Sequence, residues 1–131
     1  TIFVDAGEVD ARGVGQCIHE SIIKGLEELV AYAQIDPKSV FVYLDGSLKA
    51  PALYRQQTVK GGDNKIFSIA LASIYAKVAR DQVMEQYDIE YPLYNFYAHK
   101  GYGTIEHMKR IKEHGPCPIH RRSFLKKVLA K

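Results

Sequence analysis

From Val14 to Val30, apolar side chains recur at Val14, Ile18, Ile22, Leu26, Leu29 and Val30, while Glu20, Lys24, Glu27 and Glu28 fall between them. Steps of three and four collect the apolar set on one face, so the spacing predicts an amphipathic helix laid on a core. Asp10 carries a side chain suited to capping its start. Pro37, which has no amide proton, precludes its continuation. The run Val40-Phe41-Val42-Tyr43-Leu44 is almost continuously apolar and reads as a strand covered on both faces. A helix leading into a buried strand points to parallel α/β packing. Ile2-Phe3-Val4 reads as a short opening strand, and Gln56 to Lys60 as another, closed by Gly61-Gly62-Asp63. Ile66 to about Tyr87 is rich in alanine and small residues and predicts a second long helix in close packing. Pro92 with Tyr91, Tyr94, Phe96 and Tyr97 marks a loop; Thr104 can cap a short helix ended by Gly115-Pro116, and Phe124 to Leu129 add a terminal turn or helix. No repeat, low-complexity tract or linker interrupts this order.

Composition narrows the class. With 131 residues, 47% hydrophobic and 25% charged, the chain suits one globular domain over residues 1–131 with a real core. Charges break every apolar run well short of the roughly 20 residues that cross a bilayer, and no signal-peptide pattern opens the sequence. A cytoplasmic location is the expectation. Cys17 and Cys117 stand far apart without zinc-ligand spacing and read as two free thiols. Net charge is only +3, but Lys109, Arg110 and Lys112 precede His120-Arg121-Arg122 and Lys126-Lys127. That clustering suits a polyanion, although a solvated basic face gives the same pattern.

Two acids are harder to dismiss. Asp45 ends the apolar run just before Gly46, at the carboxyl end of a strand, where α/β sheets usually bind ligands; an Asp-Gly pair is also an ordinary turn. Ser73, Lys77 and Asp81 follow at steps of four along one helical stripe, either lining a cleft or forming a surface ion pair. Carboxylates converging from a strand end and a helix suit Mg²⁺ or Mn²⁺, and with a nearby lysine they suit two-metal phosphodiester hydrolysis. In His99-Lys100-Gly101-Tyr102-Gly103-Thr104, the glycines leave the Tyr102 ring room to meet a sugar or base, while Lys100 could hold phosphate; a glycine-rich turn around a packed tyrosine is the plainer reading. Arg121 and Arg122 could pair with phosphates or with surface acids. No histidine receives a ligand role.

The order of these motifs, Leu44-Asp45-Gly46, Gly62-Asp63, Ala72-Ser73-Ile74-Tyr75-Ala76-Lys77 to Arg80-Asp81, Tyr91-Pro92-Leu93-Tyr94, Lys100 to Thr104 with His107, and His120-Arg121-Arg122-Ser123-Phe124, strongly resembles the ribonuclease HII family from about Glu8 to Phe124. The resemblance implies an RNase H-like α/β fold with C-terminal helices. It implies an endoribonuclease that cleaves RNA in RNA–DNA hybrids and cuts 5′ of single ribonucleotides in duplex DNA with Mg²⁺ or Mn²⁺, a role in DNA repair. Asp45 and Asp81 match two of the family's four metal-binding, catalytic acids, and Tyr102 matches the tyrosine that stacks on the deoxyribose after the ribonucleotide. Ser73, Lys77, Lys100 and Arg121 match substrate-backbone contacts, and Asp63 a structural residue or helix cap.

One departure is large. The family's Asp-Glu-x-Gly-Arg-Gly segment, with two further metal-binding acids, does not occur here; Glu8-Val9-Asp10 instead matches the acidic pair before the family's first long helix. The fold is therefore expected to be N-terminally incomplete, with edge-strand backbone and apolar helix faces uncovered. Three readings stand: a truncated or split enzyme completed by an N-terminal fragment or by self-association, a non-catalytic nucleic-acid-binding remnant, and a structural partner of a separate fragment.

Overall fold

The computed structural model describes residues 1–129. They form helices α1 (Ala6–Arg12), α2 (Val14–Ala33), α3 (Phe67–Glu90), α4 (Phe96–His99), α5 (Ile105–His114) and α6 (Lys126–Leu129), with strands β1 (Phe41–Asp45) and β2 (Arg55–Val59). The chain divides into two compact units, one of residues 1–4 and 12–76, the other of residues 5–11 and those from 77 on. Among the described residues no helix is long and apolar enough to cross a membrane.

In the first unit β1 and β2 pair in parallel, from Phe41 opposite Arg55 to Asp45 opposite Val59. Loop 46–54 joins them without the usual helical crossover. Gln56 ties that loop down by exchanging hydrogen bonds with the backbone of Ala50, and the Thr58 hydroxyl donates to the Leu48 carbonyl. Half of the predicted face of α2 packs: Ile22, Leu26 and Val30 lie against a core of Leu44, Ala50 and Tyr54, with Val40 and Val42 from the strand side, whereas Val14, Ile18 and Leu29 are exposed. Among the described residues only that face of β1 is covered. Phe41 and Tyr43 point away and are 42% and 41% exposed, so the two-sided burial expected of this run does not occur among the described residues. Their rings meet at 4.9 Å instead, and the Arg55 guanidinium lies 5.5 Å from the Phe41 centroid.

Three further expectations are corrected. Residues 2–4 form no strand; Ile2 instead lies beside Gly25 of α2. The start of α2 is not capped by Asp10, which lies within α1; Gly13 holds that position, with φ of 82° and no side-chain cap. Asp10 serves the far end of the sequence, accepting from the amides of Arg122 at 2.6 Å and Ser123 at 3.1 Å and from the Ser123 hydroxyl. It caps the 3-10 turn Arg122–Leu125, and Asp5 caps α1 by accepting from the Glu8 amide at 2.8 Å. Finally, α3 was expected to pack closely, yet Phe67, Leu71, Ile74, Tyr75 and Val78 form an exposed stripe along it. Small residues permit close approach, but they do not supply a partner.

The second unit centres on Tyr94, Phe96, Ile111, Cys117 and Leu125, backed by Met84, Tyr87, Tyr91, Met108, Ile119 and Val128. The predicted aromatic loop is more regular than its proline suggests: a 3-10 turn, Pro92–Tyr94, runs into α4, and the Tyr94 hydroxyl donates to the Gly115 carbonyl at 2.7 Å. Thr104 caps α5 as expected, its hydroxyl accepting from the His107 amide at 3.2 Å. Both cysteines are buried.

Candidate functional site

Asp45 sits at the carboxyl end of β1 in a cradle of amides. Its Oδ1 accepts from the Gly46 amide at 2.7 Å and the Gly62 amide at 2.8 Å. Gly46 and Gly61 adopt positive φ of 69° and 64°, which turns the chain tightly about the carboxylate. The Gly62 amide chiefly, then those of Gly46 and Gly61 and the charge of Lys65, hold the Asp45 carboxyl below its usual range against a smaller opposing effect of burial. A carboxylate held ionised by backbone donors is suited to a hard cation. Asp63 is exposed in the 3-10 turn Gly62–Asn64, where it accepts from the Asn64 side chain at 3.1 Å.

Gly62 makes this cradle possible. A Cβ there would lie 2.5 Å from Cδ1 of buried Ile69 and 3.5 Å from Asp45 Oδ1. Gly62→Ala is expected to lower stability by about 1–3 kcal/mol, the usual range for overpacking, as measured by urea denaturation. Removing the clashing methyl with Ile69→Val in the same chain should recover much of that loss. Simple additivity of the two changes would argue against the clash.

In the second unit the acid of interest is Asp81 on α3. Its Oδ2 accepts from Lys77 Nζ at 2.6 Å, so the expected ion pair forms. Its Oδ1 differs: it is buried and accepts no hydrogen bond, with Arg80 Nη1 at 3.6 Å. The hydrogen bond from Lys77 chiefly, and the charges of Lys77, Arg80 and Lys100, hold the Asp81 carboxyl below its usual range, with burial opposing; Asp81 in turn raises the Lys77 ammonium.

Arg80 links Asp81 to the Tyr102 turn. Its Nη2 donates to the Lys100 carbonyl at 2.5 Å, and its guanidinium lies 4.4 Å from the Tyr102 ring centroid. That contact supports one face of a ring that is 57% exposed. Lys100, at φ 48°, bonds Glu85 at 2.7 Å and lies 4.3 Å from the Tyr97 ring centroid, so its ammonium is engaged within the unit. Gly101 follows at φ 76°, and a Cβ there would meet Met84 Cε at 2.9 Å.

The structure thus gathers Lys77, Asp81, Lys100 and Tyr102 through Arg80, which the sequence reading did not select; its place beside Asp81 and four residues before Met84 was the available signal. Asp45 belongs to the first unit with Gly62 and Lys65. Ser73 is exposed on α3, and Arg121 is exposed over the Phe124 ring, 5.6 Å from its centroid.

Among the described residues no three His, Cys, Asp or Glu side chains gather as a metal cage. The donor chemistry nevertheless fits a hard divalent cation. Asp81 Oδ1 is buried without a hydrogen-bond donor and has the Arg80 guanidinium only at 3.6 Å, so its lone pairs are open to a closer cation.

A parallel strand pair set among helices makes this a mixed α/β protein. A model of the family described as ribonuclease HII matches residues 2–127, and the chain belongs to that family. It is 45% identical over 120 residues to the ribonuclease HII of Geotalea daltonii, covering 92% of this chain and 53% of that protein. It is 40% identical over 124 residues to that of Caldanaerobacter subterraneus subsp. tengcongensis, covering 94% and 51%, and 41% identical over 128 residues to that of Caldicellulosiruptor bescii, covering 97% and 59%. The chain spans about half the length of these curated relatives.

Proposed function

We propose that this chain has the RNase H-like fold and carries part of the active site of a metal-dependent endoribonuclease. Its substrate would be the RNA strand of RNA–DNA hybrids, and duplex DNA containing single ribonucleotides cut on their 5′ side. The observation that carries this reading is the buried, undonated Asp81 Oδ1 in a setting already occupied by Lys77 and Arg80. Asp45 and Asp81 are each metal ligands. A divalent cation such as Mg²⁺ or Mn²⁺ held by these carboxylates would activate water for attack and offset charge on the leaving oxygen. Asp45 is kept ionised by its glycine amides, and Lys77 holds Asp81 charged and oriented. Tyr102, supported by Arg80, offers its free face to a sugar. Ser73 and Arg121 are exposed for phosphate contact, whereas Lys100 must exchange Glu85 for phosphate. Such an enzyme acts in the cytoplasm on ribonucleotides in DNA.

The second reading, a binding remnant without metal chemistry, is favoured by the lack of a third acid gathered at either carboxylate among the described residues. Incubation with a duplex bearing one ribonucleotide, with Mg²⁺ or Mn²⁺ titrated, separates the two. A nick leaving 3′-hydroxyl and 5′-phosphate ends supports the enzyme. Metal-independent duplex binding without cleavage supports the remnant, and neither binding nor cleavage overturns both.

A further inference from the structure

His99, His107 and His120, from α4, α5 and the segment after α5, meet around Phe96. All three are buried, and their centroids lie 5.7, 5.5 and 5.6 Å from that of Phe96. His99 stacks on His107 at 4.2 Å with 16° between the planes. Their hydrogen bonds leave each ring one tautomer. His120 Nδ1 accepts from the Cys117 amide at 3.0 Å, with the Cys117 thiol also at 3.0 Å, so its proton sits on Nε2. Burial pushes the Cys117 thiol up, which keeps it a donor. His120 Nε2 then donates to His107 Nε2 at 3.0 Å, and His107 Nδ1 donates to the Tyr102 carbonyl at 2.9 Å. His99 Nε2 donates to the Tyr94 carbonyl at 2.8 Å, while its Nδ1 accepts from the Gly101 amide at 3.2 Å. Every ring nitrogen has a hydrogen-bond partner, and in each ring one nitrogen donates while the other accepts.

This relay ends on the turn that presents Tyr102. The Tyr102 amide donates to the His99 carbonyl, and the Tyr102 carbonyl accepts from the Thr104 amide as well, each at 2.8 Å. We propose that His99, His107 and His120 are positioning residues, a neutral tautomer-locked relay that fixes the Tyr102 turn and releases it when a proton enters. The consequence for substrate rests on the reading of Tyr102 as a sugar contact; the relay itself does not. A proton added to His107 Nε2 meets the His120 N–H, and one added to His120 Nδ1 meets the Cys117 amide. The groups facing the rings do not compensate. Tyr94 and Cys117 are neutral, and His114 lies edge-on to Tyr94. Glu106, which faces His99, is engaged by Asn95 and Arg110, and Glu90 acts on Cys117 from outside the cluster.

Burial first, then neighbouring imidazoles, pushes His107 and His120 below the ordinary value; the Tyr102 and Cys117 backbone bonds oppose this without reversing it. A base depressed on folding contributes stability that is complete above its unfolded value, about 6.5, and is lost as pH falls from there toward the folded value. The depressed carboxylates act lower, below about pH 4.

Nitrogen-15 NMR of the full chain tests the relay. Expected are the Nδ1–H form of His107, the Nε2–H forms of His99 and His120, and common movement of the Gly101, Tyr102 and Thr104 amides in one acid transition that lies below the ordinary imidazole value. His107→Asn, whose amide can still donate to the Tyr102 carbonyl, should hold the turn at neutral pH and lose the acid transition at Tyr102 and Thr104. His107→Leu should displace those amides at neutral pH; if it does not fold, the wild-type tautomers and His107→Asn decide. A charged ring at neutral pH, the opposite His107 tautomer, an unchanged acid transition in His107→Asn, or turn amides that titrate only with carboxylates would overturn the relay. For a ribonucleotide-bearing duplex, wild-type affinity should fall about tenfold between neutral pH and the acid side of that transition, against the usual gain from added positive charge, and under about twofold in His107→Asn. Equal falls in both chains would sink the link to substrate. No duplex binding at neutral pH would sink the role given to Tyr102 while the spectra still decide the relay.

Discussion

Asp81→Asn is expected to slow metal-dependent nicking of a ribonucleotide-bearing duplex by about a thousandfold, in keeping with the loss of a charged metal ligand. Saturable Mn²⁺ binding should weaken in parallel, while the chain stays folded. Asparagine keeps the size of the side chain and can still offer an oxygen to Lys77, now 2.6 Å from Oδ2. What it removes is the charge of a buried oxygen with no hydrogen-bond donor of its own. A structural ion pair on a helix surface would answer differently, because such pairs contribute little and their loss would leave cleavage intact. Initial rates at saturating metal, beside a thermal melt, therefore discriminate the two. Unchanged cleavage by Asp81→Asn would remove Asp81 from the catalytic centre.

The largest stability effect is expected at Phe96. Its side chain is 1% exposed, its ring stacks on Tyr94 at 5.5 Å, and three histidine rings line its other sides. Phe96→Ala should cost about 3–5 kcal/mol in urea denaturation, since the cavity adds to the lost transfer free energy. Phe96→Leu, which keeps most of the volume, should recover more than half of that loss. The same cavity would loosen the histidine relay, so the Tyr102 amide should shift in Phe96→Ala under conditions where the chain is still folded. A loss below about 1 kcal/mol would contradict the packing of Phe96 at the centre of this core.

Much of the local structure was legible because it follows from short-range rules. Spacing identified α2 and the Ile22, Leu26 and Val30 side chains that it packs on the core, Thr104 announced α5, and the apolar run located β1 with Asp45 at its end. Errors arose where the partner lies far along the chain. Asp10 resembles a cap for the next helix, but it caps a turn more than a hundred residues away. Val40 to Leu44 shows no alternation, yet only one face of β1 is covered among the described residues. Composition records how apolar a segment is; it does not record what lies against it.

The candidate site divides in the same way. Asp45, Asp81 and Tyr102 could be singled out from residue type, spacing and the order of motifs, and Lys77 followed from a four-residue step on one helix. The sequence could not reveal that Asp81 Oδ1 is buried without a donor, that Arg80 reaches both Asp81 and the Tyr102 ring, or that scattered histidines share one buried relay. Hydrogen-bond satisfaction and burial depend on every group within a few ångströms, and those neighbours come from distant segments. The sequence determined the family, the main helices and the acids; the tertiary structure decided which oxygen lacks a donor, which arginine supports the tyrosine and where the protons on the histidines must sit.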